Sequence, residues 1–537
     1  MNASQMVHLN CLPTISRLLG AREARKPRGA RFWVPTEDGL PLEVEVRGVE
    51  ISDVRQPVVV FPASWGASTG DFELLLQRLA QSGYLTVGYT PRGFRSSGGR
   101  VEGASAADVR DFSAVIDWIA KTYPSVSCDA IGAVGLSYGA GISLLAAARD
   151  SRISTVVAVD GWADLYAALA RGDTARVGSL ILGLGLLAGR PRDSLLAAVA
   201  RFCTGFQPER FRAWADERSV VFEADELSRR QTSVLLAAGL NDTVLRPEQM
   251  VDFHRQLKCR TVLLLHADEH PVLPMRQLTT RSGREVWRYV RRWLDAELKG
   301  LPTGTQDDHI VILRGDRTEN DRGTRPGETT PLRLGLGAPS LAAPGRLAGR
   351  GGAWSSRLLG GLPSGATDRM PLLSDLLQRT LRVPPSIFFP LVPAIAARTW
   401  TTSPFDATLR LRGSPLLHGT VSCAANRVTV TAHLYAVRPP GLGVLLSQGA
   451  VTLVAGGEGP IPFDITMRTC VAEVPAGHRL GLILGTWDPT CLGRTPPLRP
   501  VTLRSMEEDP SVLTVPVDHC EPREHRRDHA CSSAVEA

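Results

Sequence analysis

The stretch AIGAVGLSYGAGISLLAAARD, residues 130–150, decides the fold. A short apolar run, AIGAVGL, ends on Ser137, and a helix rich in small residues leaves from Tyr138. Gly135-Leu136-Ser137-Tyr138-Gly139 is a GxSxG match in the setting a nucleophile elbow requires: a strand running into the serine and a helix departing at once. The flanking glycines suit a turn too sharp for neighbouring side chains. A second match, Gly66-Ala67-Ser68-Thr69-Gly70, lies several loop residues beyond its strand, so Ser68 is read as a decoy.

Outward from the elbow, strands and helices alternate. RFWVPTEDGLPLEVEVRG reads as a hairpin turning at Asp38-Gly39. PVVVFP, YLTVGYTP, STVVAVDGW, TSVLLAAGL and TVLLLHA read as strands buried on both faces, with helices such as DFELLLQRLAQSG and AADVRDFSAVIDWIAKTYP between them. Repeated β-α-β units imply a parallel sheet covered by helices, an α/β-hydrolase fold. Some seventy mainly helical residues separate the strands at Val156 and Ser233 and are expected as a lid, about 162–230. Within it Val177 to Gly189, the longest apolar stretch, is too short to cross a bilayer and reads as a buried helix.

The expected organisation is a tail at 1–30, a catalytic domain at 31–300, a linker and irregular segment at 301–395, a β-sandwich at 396–515 and a tail at 516–537. The linker reading rests on Gly, Pro, Arg and Ser between 315 and 365. The sandwich reading rests on short β-runs such as RVTVTAHLYAV and GVLLSQGAVTLV, with no competing helical period.

In this fold the triad runs Ser, then Asp or Glu, then His along the chain. Asp242, on the loop after TSVLLAAGL, is the expected acid; Asp160 competes, and Asp252 sits inside a helix. His270, in the loop after TVLLLHA, is the expected base over His266 at the strand end, and His254 is on a helix. The N–H of Tyr138 is expected as one oxyanion donor, and Ser64 or Trp65, in the loop after the first central strand, as the source of the second. No metal or organic cofactor is required by such a mechanism.

Charge and cysteines narrow the rest. The formal charge of +7 is carried by scattered arginines, with only four lysines, and the basic lead-in from Arg17 to Arg31 has no interleaved aromatics, so nucleic acid is not an expected partner. Nine cysteines, an odd number with no CxxC pair, argue against a zinc site or disulfide framework. The first twenty residues have no apolar core of a secretory signal, so a cytoplasmic protein that does not enter membranes is expected. The expected partner is a small peptide or ester substrate, with a homo-oligomer left open.

These residues resemble the X-Pro dipeptidyl-peptidase and cocaine-esterase-like serine hydrolases over about residues 31–505. The resemblance is carried by DFSAVIDWIA through AIGAVGLSYGA, in which Tyr follows the nucleophilic Ser. It is carried too by the Thr90–Gly99 loop, similar to a DxRGxGxSxG segment, and by GSPLLHGTVSC, LYAVRPPG and VPAGHRLGLIL, which resemble that family's jelly-roll domain. Thr90 stands in place of the usual Asp and Arg95 of the usual Gly. Trp65 stands where relatives carry an oxyanion-binding Tyr, so the resemblance implies its indole N–H, or a backbone group, in that role. The family implies hydrolysis of an amide or ester of a small or proline-containing acyl group. Acyl transfer by the same triad, or a non-catalytic binding protein using the jelly roll, are the alternatives.

Overall fold

The computed structural model describes residues 29–48, 56–270, 280–305, 309–314, 317–321, 330–366, 386–454 and 459–518. Most of the expected N-terminal tail, with nearly all of the basic lead-in, lies outside them, as does most of the C-terminal tail.

Strands β1 (Ala30–Pro35) and β2 (Pro41–Arg47) form the expected hairpin, with Gly39 at φ +75° in its turn. The ten-stranded sheet then continues β4 (Leu85–Tyr89), β3 (Pro57–Pro62), β5 (Ser127–Leu136), β6 (Ile153–Val159), β7 (Ser233–Gly239), β8 (Thr261–His266), β9 (Ile310–Arg314) and β10 (Arg317–Asp321). From β4 through β9 all neighbours are parallel. Alternate residues of these strands face opposite sides and feed two cores. Val58, Val60, Ala133, Val156 and Leu236 pack with helices α2 (Ala106–Thr122), α3 (Tyr138–Arg149) and α9 (Glu248–Gln256). Val59, Phe61, Val134, Val157 and Leu235 pack with α1 (Glu73–Gln81) and α10 (Arg281–Lys299).

Between β6 and β7 the helical insertion holds α4 (Leu165–Ala170), α5 (Ile181–Gly185), α6 (Asp193–Thr204), α7 (Pro208–Asp216) and α8 (Ala224–Arg229). The apolar run at 177–189 is not one buried helix. Its glycines break it into short turns around α5, and Leu187 stands 84% exposed.

The reading of 301–395 as linker is corrected. Ile310–Arg314 extends the first sheet, and four strands from this stretch join the second: β11 (Thr330–Leu336), β12 (Gly345–Ala348), β13 (Trp354–Leu359) and β14 (Ser386–Phe388). They are short, and three pair with strands far along the chain: β11 with β24 (Val512–Asp518), β13 with β23 (Pro500–Ser505), and β14 with β19 (Leu442–Val454). Among the described residues, most of the glycines and prolines that suggested a linker lie between these strands.

The second domain is an all-β sandwich. One sheet centres on β17 (Leu416–Cys423), β23 and β24, the other on β18 (Arg427–Arg438), β19 and β22 (Arg479–Gly485). Leu417, Leu503 and Leu513 from the first share one core with Val430, Leu434 and Leu482 from the second.

The two domains are joined through the insertion. Backbone bonds run from Val177 N–H to Thr490 C=O and from Leu492 N–H to Ala175 C=O, each 2.8 Å. Arg427 donates to the Gly205 carbonyl at 2.9 Å and Arg494 to the Cys203 carbonyl at 2.7 Å. These are carbonyls at the C-terminal end of α6, which the helix itself leaves unsatisfied and where cations are favoured.

Candidate active site

Ser137 sits where β5 meets α3, with φ +53° and ψ −113°, a conformation costly for a non-glycine residue. Both motif glycines are sterically required. A Cβ on Gly135 would lie 2.2 Å from the Gly139 carbonyl carbon, and one on Gly139 would lie 2.2 Å from the Pro62 carbonyl oxygen. The second contact also sets the elbow against the end of β3. Ser68, in contrast, caps a short turn, its hydroxyl 3.1 Å from Asp71.

Ser137 Oγ lies 2.9 Å from His270 Nε2, and His270 Nδ1 lies 2.7 Å from Asp242 Oδ2. The three residues come from the ends of β5, β7 and β8, and all are buried; Ser137 is only 4% exposed. Asp242 is fixed through its other oxygen, which accepts the N–H groups of Val244 and Leu245 at 2.8 and 2.7 Å. With that carboxylate held, the imidazole is oriented by a rigid partner. Burial alone would lower the His270 pKa, but the charge and hydrogen bond of Asp242 outweigh it and hold the imidazole above the ordinary histidine range.

The competing residues form a separate pair. His266 Nε2 is 2.9 Å from Asp160 Oδ1, and that oxygen also accepts the Gly239 N–H at 2.9 Å. Asp252 makes ion pairs with Arg171 and Arg255, and His254 Nδ1 lies 3.3 Å from Thr261 Oγ1.

Tyr138 opens α3, where the first N–H groups of a helix have no partner within it and carry the positive end of its dipole. Its side chain points away into a buried network. The hydroxyl accepts the Ala104 N–H at 2.8 Å and donates to Asp108 at 3.2 Å. Burial, reinforced by the charge of Asp111, pushes the Asp108 carboxyl up to about 6. Arg92, from the Thr90–Gly99 loop, clasps Asp111 at 2.6 and 2.8 Å. Thr90, in the place of an aspartate, donates to Glu43 at 3.1 Å.

The expectation that the Trp65 indole N–H serves an oxyanion is corrected: Trp65 Nε1 donates to the Leu182 carbonyl at 2.6 Å. The indole joins the loop after β3 to the insertion, packed so closely that a Cβ on Gly185 would fall 2.2 Å from its ring. Ser64 lies partly buried in the same loop, its carbonyl accepting the Ala67 N–H at 3.1 Å.

A cavity of about 150 Å3 opens beside Ser137 and Tyr138, walled largely by the insertion. Its aromatic residues Phe202, Phe211 and Trp214 were not singled out from the sequence. The helical spacing of apolar residues within the insertion was the available signal. Among the described residues no group of three or more His, Cys, Asp or Glu could hold a metal ion, and no helix is long and apolar enough to cross a membrane.

The fold, with a serine, a histidine and an aspartate in contact at the ends of its strands, defines a serine hydrolase of the α/β-hydrolase class, acting on amide or ester bonds. Residues 38–271 match the X-Pro dipeptidyl-peptidase (S15 family), and residues 396–527 match the X-Pro dipeptidyl-peptidase C-terminal non-catalytic domain. The two matched segments carry one family name and follow each other along the chain. Similar solved structures include an alpha-amino acid ester hydrolase, with TM-score 0.67 and 15% identity over 96% of this chain and 100% of that one. A CocE/NonD family hydrolase from Staphylococcus aureus has TM-score 0.69 and 14% identity over 92% of this chain and 93% of that one. At such identities the likeness shows the fold. An uncharacterized protein from Pseudomonas aeruginosa is 33% identical over 109 residues, 19% of this chain. That match spans 28% of the relative's length.

Proposed function

We propose that this chain cleaves an ester or amide through an acyl-enzyme on Ser137, with His270 as general base and acid and Asp242 as its orienting partner. The observation that carries the reading is the unbroken contact from Asp242 through His270 to Ser137, at 2.7 and 2.9 Å. With its Nδ1 proton donated to Asp242, neutral His270 presents the Nε2 lone pair to the Ser137 hydroxyl. Ser137 Oγ attacks the acyl carbonyl as its proton passes to His270 Nε2. The oxyanion is held by the Tyr138 N–H and by a backbone N–H from the loop holding Ser64 and Trp65, because the indole is engaged elsewhere. The imidazolium then returns its proton to the leaving group, and water, deprotonated by the same imidazole, releases the acid.

Five cysteines among the described residues, Cys203, Cys259, Cys423, Cys470 and Cys491, are unbridged, which favours a reducing compartment and supports a cytoplasmic location. The test of the catalytic reading is labelling of the full chain with a fluorophosphonate, wild type beside Ser137→Ala. Labelling confined to the wild type is expected. Equal labelling of both would remove Ser137 from the mechanism, and product analysis with added alcohols separates hydrolysis from acyl transfer.

A further inference from the structure

The cavity beside Ser137 is the size of one that stays dry and accepts a single benzene ring, about 150 Å3. Trp65, Trp162, Phe202, Phe211 and Trp214 supply rings to its wall, and leucines fill much of the remainder. The polar groups of this wall are largely engaged elsewhere. Trp65 Nε1 is tied to Leu182, Trp162 Nε1 donates to the Arg218 carbonyl at 2.8 Å, and the Ser179 hydroxyl donates to the Val244 carbonyl at 3.0 Å. Trp214 Nε1 is buried with no hydrogen-bond partner among the described residues, and it is a donor, unsuited to a cation. Among the described residues no carboxylate lines the cavity.

The cavity also has a side. Ser137 and Tyr138 line it and His270 does not. A leaving group must come within reach of His270 to receive its proton, so the cavity lies across the reacting carbonyl from it, on the acyl side.

Resting on Ser137 as the nucleophile, we infer that the enzyme takes an uncharged, apolar acyl group of about one ring or six to eight carbons and rejects acyl groups bearing a free α-ammonium. An ammonium placed here gives up its hydration, and the wall offers no carboxylate in exchange. Aminoacyl esters, and dipeptides with a free N-terminus, are therefore poor acyl donors for this chain.

The test uses two p-nitrophenyl esters with one carbon skeleton, the 3-phenylpropanoate and the phenylalanine ester, on the full-length protein, with fluorophosphonate labelling run in parallel. We expect kcat/KM roughly 100-fold or more in favour of the phenylpropanoate, although the ammonium makes its own ester intrinsically the more reactive. Equal rates, or a preference for the phenylalanine ester, would overturn the inference while leaving the serine mechanism standing. A labelled enzyme that turns over neither ester would overturn it too. Absence of labelling as well as turnover would remove the mechanism on which it rests. A hexadecanoate cleaved as well as a hexanoate would contradict the size limit.

Discussion

His266 and Asp160 meet at 2.9 Å, a second buried imidazole–carboxylate pair set among the same strand ends as His270 and Asp242. Only one of the two histidines touches Ser137. The pairs should therefore answer mutation in different ways. His270→Ala is expected to cut kcat/KM by about 10^5-fold or more with little change in melting temperature. His266→Ala leaves the Asp160 carboxylate buried without its imidazole and should cost about 3 kcal/mol of stability, while the folded fraction keeps its activity. Thermal unfolding and active-site titration of both variants separate the two outcomes. A stable but inactive His266→Ala would reverse the roles.

The pH profile carries the imprint of Asp242. In the proposed mechanism His270 must be neutral to accept the Ser137 proton, and Asp242 holds its pKa above the ordinary histidine value. Activity should therefore rise with pH through a midpoint above about 6.5, the unperturbed histidine value. Asp242→Asn removes the raising influence, so the midpoint should fall while kcat drops by about 10^4-fold. The dependence of kcat/KM on pH, which reports the free enzyme, checks both signs.

Glycine is required on either side of the nucleophile because the atoms that would meet a Cβ are backbone. At Gly139 the obstacle is the Pro62 carbonyl oxygen, at 2.2 Å. Neither partner can rotate away, so Gly139→Ala should shift the elbow, cost about 3 kcal/mol and lose fluorophosphonate labelling. Denaturant unfolding beside labelling measures both, and full labelling of a stable variant would refute the steric account.

Glu248 fastens the catalytic domain to the sandwich. It lies 3.1 Å from Arg246 and accepts the Thr469 N–H at 2.6 Å, both carboxylate and guanidinium being buried. Burial alone would raise its pKa, but the charge of Arg246 prevails and holds it below the usual carboxylate range. A carboxylate with a depressed folded pKa contributes stability above its unfolded pKa and loses that contribution as pH falls through the folded value. Glu248→Gln should cost about 3 kcal/mol at neutral pH, with a gap to wild type that narrows below about pH 4. Melting curves at pH 7 and pH 3.5 test the magnitude and the sign.

Truncation distinguishes the sheet from its attachments. A chain ending at Gly300 lacks Ile310–Arg314, which pairs with β8, and should aggregate. One ending at Asp321 keeps all ten strands and should be more soluble, yet slow, since the end of α6 loses both arginines. Size-exclusion chromatography and ester turnover tell them apart, and a soluble, fully active chain ending at Gly300 would contradict this.

The central strands, the elbow and the Asp242 and His270 positions were readable because each is a local pattern. A buried parallel strand is a continuous apolar run, and an acid or base on the loop after it falls at the sheet edge where the serine waits. What was not readable depends on partners distant in the chain. The indole of Trp65 finds the Leu182 carbonyl 117 residues away, and nothing near Trp65 announces it. Strand β13 is defined by its pairing with β23, and with its partner unknown its serines and arginine look like loop. The cavity wall is likewise assembled from α4, α6 and α7, whose apolar faces were visible but whose meeting point was not.

Arg494 sits 291 residues beyond the carbonyl it holds at the end of α6, the helix that brings Phe202 to the cavity. Variation in a sandwich loop where no chemistry occurs can therefore reshape the acyl pocket from behind, without altering a residue that meets substrate. The two halves of the chain would have to co-evolve. A sandwich transplanted from a relative should carry part of that relative's substrate preference with it.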